Sequence, residues 1–177
     1  MKIAIVGATG TVGRMMLQTL EEERVLISEL ALFASEKSAN RKITFNNIEY
    51  PVQELSISTM KEHYDYILMS AGALVAKEFA PIAAQAGNTI IDNSSAFRSD
   101  PRIPLIVPEI NGELLLNYRG IVANPNCSTI QMVLALHPLA VEFGLNKVIV
   151  STYQSVSGAG NKGISELKQQ KEGSSKY

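Results

Sequence analysis

One cysteine, two histidines, no excess of either charge and no long apolar run: these shortages already narrow what the 177-residue chain can be. The lone Cys127 excludes an internal disulfide and a cysteine-rich metal site. Sixteen basic residues stand against 17 acidic ones, for a net charge of -1. That balance gives no electrostatic case for binding nucleic acid or an anionic membrane surface. No apolar run approaches the roughly 20 residues that a membrane-spanning helix needs. No secretory leader is expected either, because Met1 and Lys2 run straight into Ile3-Ala4-Ile5-Val6 and a glycine-rich turn. What the chain does have is a 46% apolar content, enough for a sizeable core. These features predict a soluble, cytoplasmic, globular protein of one domain, or of one domain and part of another.

The chain alternates strand and helix patterns. Lys2–Val6 reads as a buried strand ending at Gly7. A helix is expected over Thr11–Glu22, with Val12, Met15, Met16 and Leu20 on one face. Glu29–Ala34 is a second strand, Ile43–Val52 one or two short ones, and Tyr66–Met69 another. A helix over Leu74–Ala86 stops at Gly87. Thr89–Ile91 and Gly120–Ala123 complete the strands of this region. Alternation of this kind predicts βαβ units, a mainly parallel sheet and a ligand outside the carboxyl ends of its strands. The polar turns at Gly7, Ser35, Ser70 and Asn93 all follow strands, so one crevice can collect them. After Ala123 the pattern restarts. A turn at Asn124–Thr129 opens a helix from Ile130 to Phe143, closed by Gly144. Lys147–Tyr153 reads as a strong strand, and Ile164–Lys171 as a polar helix at best. This second region is too short to bury a core of its own, so a continuation is expected.

Three places carry chemistry. Gly7, Gly10 and Gly13 in Gly7-Ala8-Thr9-Gly10-Thr11-Val12-Gly13 sit between a strand and a helix. Glycine permits the tight turn and a close backbone approach, and the amides of Thr11, Val12 and Gly13 suit a pyrophosphate. The plain alternative is a glycine-rich turn without a ligand. At the second strand's end, an NAD site usually has a carboxylate for the ribose hydroxyls. Here Ser35, Lys37 and Ser38 offer hydroxyls and an ammonium, which favours the 2′-phosphate of NADP despite Glu36. Cys127 opens a helix after a proline-containing turn, where amide dipoles stabilise the attacking thiolate. A buried structural thiol is as good a reading of position alone. His63 and His137 read as structural.

Several segments, in order along the whole chain, resemble aspartate-semialdehyde dehydrogenases. They are G-A-T-G-T-V-G from Gly7, A-S-E-K-S-A from Ala34, S-A-G from Ser70, D-N-S-S-A-F-R from Asp92, V-P-E-I-N from Val107, A-N-P-N-C-S-T-I from Ala123 and S-T-Y-Q-S-V-S-G-A-G from Ser151. The resemblance implies NADPH-dependent reduction of aspartyl β-phosphate to aspartate semialdehyde, within aspartate-family amino-acid biosynthesis. It implies that Cys127 is the nucleophile that carries the acyl group as a thioester, and that Gln154 orients the intermediate. Arg98 and Asn126 are implied to hold the substrate phosphate. Gly7, Thr9, Gly10, Thr11, Val12 and Gly13, with Ser70, Ala71 and Gly72, are implied on the cofactor. Ser35, Lys37 and Ser38 are implied at its 2′-phosphate, and Ser157 and Gly158 near the nicotinamide. Many members have Arg at the position of Lys37, and Gly-Ser where this chain has Ala73-Leu74.

The expected architecture is α/β: a Rossmann-type NADP-binding domain over residues 1–123, then the start of an α+β catalytic and dimerisation domain over 124–177. In the family a sheet of the second domain contributes to a homodimer. Members are longer, and their acid–base histidine and carboxylate-binding arginine lie in the part expected beyond this chain. The chain is therefore expected to be inactive alone. Two alternatives stay open at this point: N-acetyl-glutamyl-phosphate reductase, which shares fold and chemistry, and a non-catalytic NADP-binding fragment.

Overall fold

The computed structural model describes residues 1–173; residues 174–177, the end of the expected second region, lie outside it. Strands β1 (Lys2–Val6), β2 (Glu29–Ala34), β3 (Lys42–Phe45), β4 (Ile48–Glu54), β5 (Tyr66–Met69), β6 (Thr89–Asp92) and β7 (Ile121–Ala123) form one sheet in the order β3-β4-β2-β1-β5-β6-β7. Every pairing is parallel except β3 with β4. Those two make a hairpin through Asn46 and Asn47, whose φ angles of 48° and 62° are the left-handed pair of a tight hairpin turn. Asparagine tolerates that region better than most residues.

Both faces of the central strands are covered, which explains their near-continuous apolar runs. Alternation sends Ala4 and Val6 to one face and Ile3 and Ile5 to the other. On the first face, Ala76, Ala80 and Ala83 of helix α3 (Ala73–Gln85) pack against Ile67, Met69 and Ile90. Small residues at this spacing let the helix lie close to the sheet. The short helix α2 (Ile57–Met60) adds Met60 to the same cluster. On the second face, Leu17 of helix α1 (Thr11–Glu22) joins Ile3, Ile5, Leu32 and the hairpin residues Ile43, Phe45 and Val52.

A one-turn helix, α4 (Pro108–Asn111), precedes β7, and α5 (Cys127–Phe143) follows it. Helix α5 starts three residues earlier than its apolar pattern alone suggests, because Asn126 caps it through its side chain. It buries no residue fully and leaves Leu139, Val141 and Phe143 exposed. The expected strand at Lys147–Tyr153 is not present; this stretch is irregular, with Ile149 and Tyr153 largely or wholly exposed. A β-branched run becomes a strand only when a partner edge satisfies its peptide groups, and none among the described residues pairs with it. The last helix, α6 (Asn161–Lys171), begins earlier than expected, at Asn161, with Gly160 as its N-cap. Among the described residues no helix is long and apolar enough to cross a membrane.

Candidate active site

Strand order reverses between β1 and β5: β2 lies on one side of β1, and β5, β6 and β7 follow on the other. In open α/β sheets the ligand crevice opens at such a point. The two strand ends are tied together there, since Ser70 donates to the Val6 carbonyl from its backbone at 2.9 Å and from its hydroxyl at 3.3 Å.

The glycine-rich loop is built for close approach. Gly7 has φ of 86°, and a Cβ there would lie 2.9 Å from the Ser70 carbonyl carbon. A Cβ on Gly13 would overlap the Gly7 carbonyl oxygen and lie 2.8 Å from Ala8 Cα. Gly13 is thus the residue that lets α1 pack down onto the loop. Its role is close packing beneath the loop, and it is buried. No side chain caps the start of α1, which leaves its first-turn N–H groups for a ligand.

A cleft of about 590 Å³ opens beside this loop, within the range of about 300–1,000 Å³ usual for small-molecule and cofactor sites. Four helix starts border it: Gly10 and Thr11 of α1, Gly72 and Ala73 of α3, Asn126 and Cys127 of α5, and Gly160 and Asn161 of α6. Of the expected site residues, Gly10, Thr11, Val12, Ser70, Gly72, Arg98, Asn126, Cys127 and Gly158 line it together. Gly7, Thr9 and Ala71 do not line it but belong to its supporting turns, and Gly13 lies in the first turn of α1 beneath it. Ser35, Lys37 and Ser38 stand apart from it, after β2, one strand over from β1. Ser35 and Lys37 are exposed in the turn that closes when the Ser38 N–H donates to the Ser35 carbonyl at 2.8 Å.

Cys127 is exposed and is the first residue of α5, which sets aside the buried structural thiol. The Asn126 side chain accepts from the Ser128 N–H at 3.1 Å and from its hydroxyl at 2.6 Å. Gln154 Oε1 lies 3.9 Å from Cys127 Sγ and 3.5 Å from Asn126 Nδ2. The irregular segment after α5 therefore brings Gln154 to the thiol without being a strand. Ser157 sits beside Gly158 in a short turn whose hydroxyl lies 2.8 Å from that of Ser155. Arg98 donates from Nε to the Asn124 carbonyl at 2.8 Å and from Nη2 to the Asn93 carbonyl at 3.1 Å. It has five N–H donors, so others remain for the cleft. His63 and His137 do not line the cleft.

Sequence reasoning expected the Asn93 turn at the crevice but named neither Asn93 nor Asn124 as a site residue, although both stand inside quoted motifs and both line the cleft. It also missed Asn161, whose Oδ1 accepts from the Thr11 hydroxyl at 3.0 Å across 150 residues. Nothing local in the sequence signals that contact.

Residues 2–118 match the family model of the semialdehyde dehydrogenase NAD-binding domain. The chain belongs to the semialdehyde dehydrogenase family. Residues 136–176 match the dimerisation domain of the same semialdehyde dehydrogenases. An aspartate-semialdehyde dehydrogenase of Aquifex aeolicus is 51% identical over 171 residues, covering 96% of this chain and 50% of the relative. A crystal structure of aspartate semialdehyde dehydrogenase II from Vibrio cholerae, complexed with ASA, superposes with a TM-score of 0.87 at 46% identity. That match covers 95% of this chain and 50% of the other. A more distant structure, aspartate semialdehyde dehydrogenase with NADP from Candida albicans, reaches a TM-score of 0.62 at 25% identity, over 82% of this chain and 48% of its own. The chain spans about half the length of the curated relatives it matches.

Proposed function

We propose that this chain supplies the NADP-binding region and the nucleophile of an aspartate-semialdehyde dehydrogenase. The observation that carries the reading is an exposed cysteine at the head of α5, in one cleft with Arg98 and the start of α1. The names of the relatives support aspartyl phosphate over N-acetyl-glutamyl phosphate as the substrate, and the Vibrio relative's complex with ASA supports the same choice.

The residues fit a dinucleotide. The glycine positions at Gly7 and Gly13 have no room for a Cβ, and the start of α1 offers unshared N–H groups to a pyrophosphate. Ser35, Lys37 and Ser38 would take the 2′-phosphate, a reading that the NADP-bound Candida relative supports. When bound, NADPH supplies the hydride that reduces the acyl carbon.

The chain's own groups supply the acyl-transfer steps. The Cys127 thiolate attacks the acyl carbon of aspartyl β-phosphate. A C–S bond forms, the C–O bond to phosphate breaks, and inorganic phosphate leaves with the bonding pair. Arg98 neutralises the departing phosphate and Asn126 donates to it. Gln154 steadies the acyl group beside the sulfur. After reduction the C–S bond breaks, and Cys127 departs as thiolate while the semialdehyde is released. We read residues 1–123 as the cofactor domain and 124–177 as the opening of the catalytic domain. We also read the complete assembly as a homodimer through the second region, where α5 exposes apolar side chains.

Alkylation of Cys127 by iodoacetamide, followed by intact mass, tests the reading together with nucleotide calorimetry. Inorganic phosphate should slow alkylation, and NADP should bind more tightly than NAD. Alkylation indifferent to phosphate in a protein that binds neither nucleotide would overturn it.

A further inference from the structure

Strands β6 and β7 end side by side, with Asp92 paired to Ala123. Beyond that pair the ladder stops, yet the next residues begin the Arg98 loop and the nucleophile turn. Something other than strand pairing must hold the two loops in register. Asn124 commits three polar groups to the task. Its N–H donates to the Asp92 carbonyl at 2.9 Å, its Nδ2 donates to Asn93 Oδ1 at 2.6 Å, and its carbonyl accepts from Arg98 Nε at 2.8 Å. Asn93 in turn donates its N–H to the Met69 carbonyl at 2.9 Å and accepts from Arg98 Nη2 on its own carbonyl at 3.1 Å. The guanidinium fork thus spans one carbonyl of each loop, with the asparagine pair beneath it. The fully buried Asp92 stiffens the first loop by accepting from the Ser94 N–H at 3.1 Å and its hydroxyl at 2.7 Å.

We propose that Asn93 and Asn124 are a positioning pair, whose side-chain hydrogen bond sets Asn126 and Cys127 at a fixed offset from Arg98. The inference rests on the phosphate reading given under Proposed function. Asn124 lies two residues before the cap of α5 and three before the thiol, with only Pro125 and Asn126 between. A displacement at Asn124 therefore passes directly to both cleft groups. The same bond aims the arginine, because both carbonyls that hold the guanidinium belong to the bonded residues. The chemistry being positioned is that of a tetrahedral oxyanion, met on one side by a guanidinium and on the other by an amide and a thiol.

A double-mutant cycle on the 177-residue protein tests the pair: Asn93→Ala, Asn124→Ala and both together. The readout is the concentration of inorganic phosphate that halves the rate of Cys127 alkylation. NADP affinity and the thermal midpoint are measured beside it. Each single change should raise that phosphate concentration roughly three- to tenfold, the worth of one net hydrogen bond. The double change should cost no more than the worse single, because the bond can be lost only once. NADP affinity should stay within about twofold, since the glycine-rich loop is untouched. Wild-type protection by phosphate with unchanged protection in the variants overturns the inference. So does a double variant whose loss is the product of the singles, or a parallel loss of NADP affinity, which would mark a general structural role. If Asn124→Ala does not fold, Asn93→Ser decides the matter, because its hydroxyl is too short to reach Asn124. Wild-type protein that phosphate fails to protect overturns the phosphate reading itself, and this inference with it.

Discussion

Replacing Gly13 by alanine should destabilise the protein, although the same change elsewhere in a helix stabilises. In a helix interior, alanine is favoured over glycine by about 1 kcal/mol. Here the new methyl would overlap the Gly7 carbonyl oxygen, and would lie 2.8 Å from Ala8 Cα and 2.9 Å from the Gly7 carbonyl carbon. All three atoms are backbone, so no rotamer change relieves the overlap. The turn must move away from α1, and it is held by Gly7 and Ala8 N–H groups donating to the Phe33 carbonyl at 2.8 and 3.1 Å. Overpacking a rigid interior costs about 1–3 kcal/mol. Backbone on every side places this case in the upper part of that range. Subtracting the helix gain leaves a net loss of about 1–2 kcal/mol. At this size that lowers the thermal midpoint by about 2–8 °C. Circular dichroism during thermal and urea unfolding measures it, and calorimetry with NADP should show weakened binding because the loop has shifted. Gly10→Ala is the control, since its Cβ would meet only the Gly7 carbonyl oxygen, at 3.3 Å. A Gly13→Ala protein as stable as wild type, with unchanged nucleotide affinity, would refute the close-packing argument.

Lys37→Ala should reduce the preference for NADP over NAD by about 1–3 kcal/mol, the worth of one charge-assisted contact; calorimetry with both nucleotides checks it, and an unchanged preference assigns the 2′-phosphate elsewhere. Arg98→Leu should remove phosphate protection of Cys127 and also lower stability by about 2–4 kcal/mol, because the carbonyls of Asn93 and Asn124 lose their donor. Arg98→Lys should recover part of the stability and little of the protection, since an ammonium cannot span both carbonyls. Asp100 should titrate at about 2, held low by the hydrogen bonds from Arg102. Its folded value lies below its unfolded one, so its contribution is complete above pH of about 4 and is lost as pH falls through about 2. Carboxylate NMR titration of wild type and Arg102→Ala measures this, with the Asp100 transition moving up in the variant.

The sheet was readable because its signals are local. Ile3-Ala4-Ile5-Val6 and Tyr66-Ile67-Leu68-Met69 are apolar on both faces, and only a covered parallel strand needs that. Gly87 at φ of 91° and Gly144 at 73° mark helix ends as their sequence places suggest. Lys147–Tyr153 misled for a physical reason. Its β-branched run states what the side chains prefer, but a strand exists only with a partner edge, and the partner is not encoded within the run. Helix α5 shows the same gap from the other side, being apolar in sequence yet buried nowhere fully. In the site, Cys127 and the glycine loop were visible as types at defined spacings. The ties of Asn93 to Asn124 and of Thr11 to Asn161 were not, because contacts across 31 and 150 residues leave no local trace.

Strand order explains why one extended ligand can join groups so far apart in the chain. The carboxyl ends of β2, β1, β5, β6 and β7 stand in a row. Neighbouring strands are about 4.8 Å apart, so the end of β2 lies about 19 Å from the end of β7. The 2′-phosphate candidates Ser35, Lys37 and Ser38 follow β2, the glycine loop follows β1, Arg98 follows β6, and Cys127 follows β7. A molecule that touches Lys37 and also reaches the thiol must be long, with an anionic bridge near the loop after β1. A mononucleotide or a free phosphate cannot do this, whereas a dinucleotide has the required length and places its pyrophosphate between its ends. The cleft needs little side-chain charge to hold such a ligand. Among the described residues Arg98 is the only lysine or arginine on its lining, while three helix starts there, those of α1, α3 and α6, have no side-chain cap. Peptide dipoles fixed by the fold supply the positive potential. They cost no side-chain entropy on binding, and they let a chain of net charge -1 present an anion site without a basic surface. Of the four helix starts at the cleft, the capped one belongs to α5, and its cap residue is Asn126. That cap fixes the turn on which Cys127 sits, so among the helices at the cleft the one that offers the thiol is the one whose start is held by a side chain.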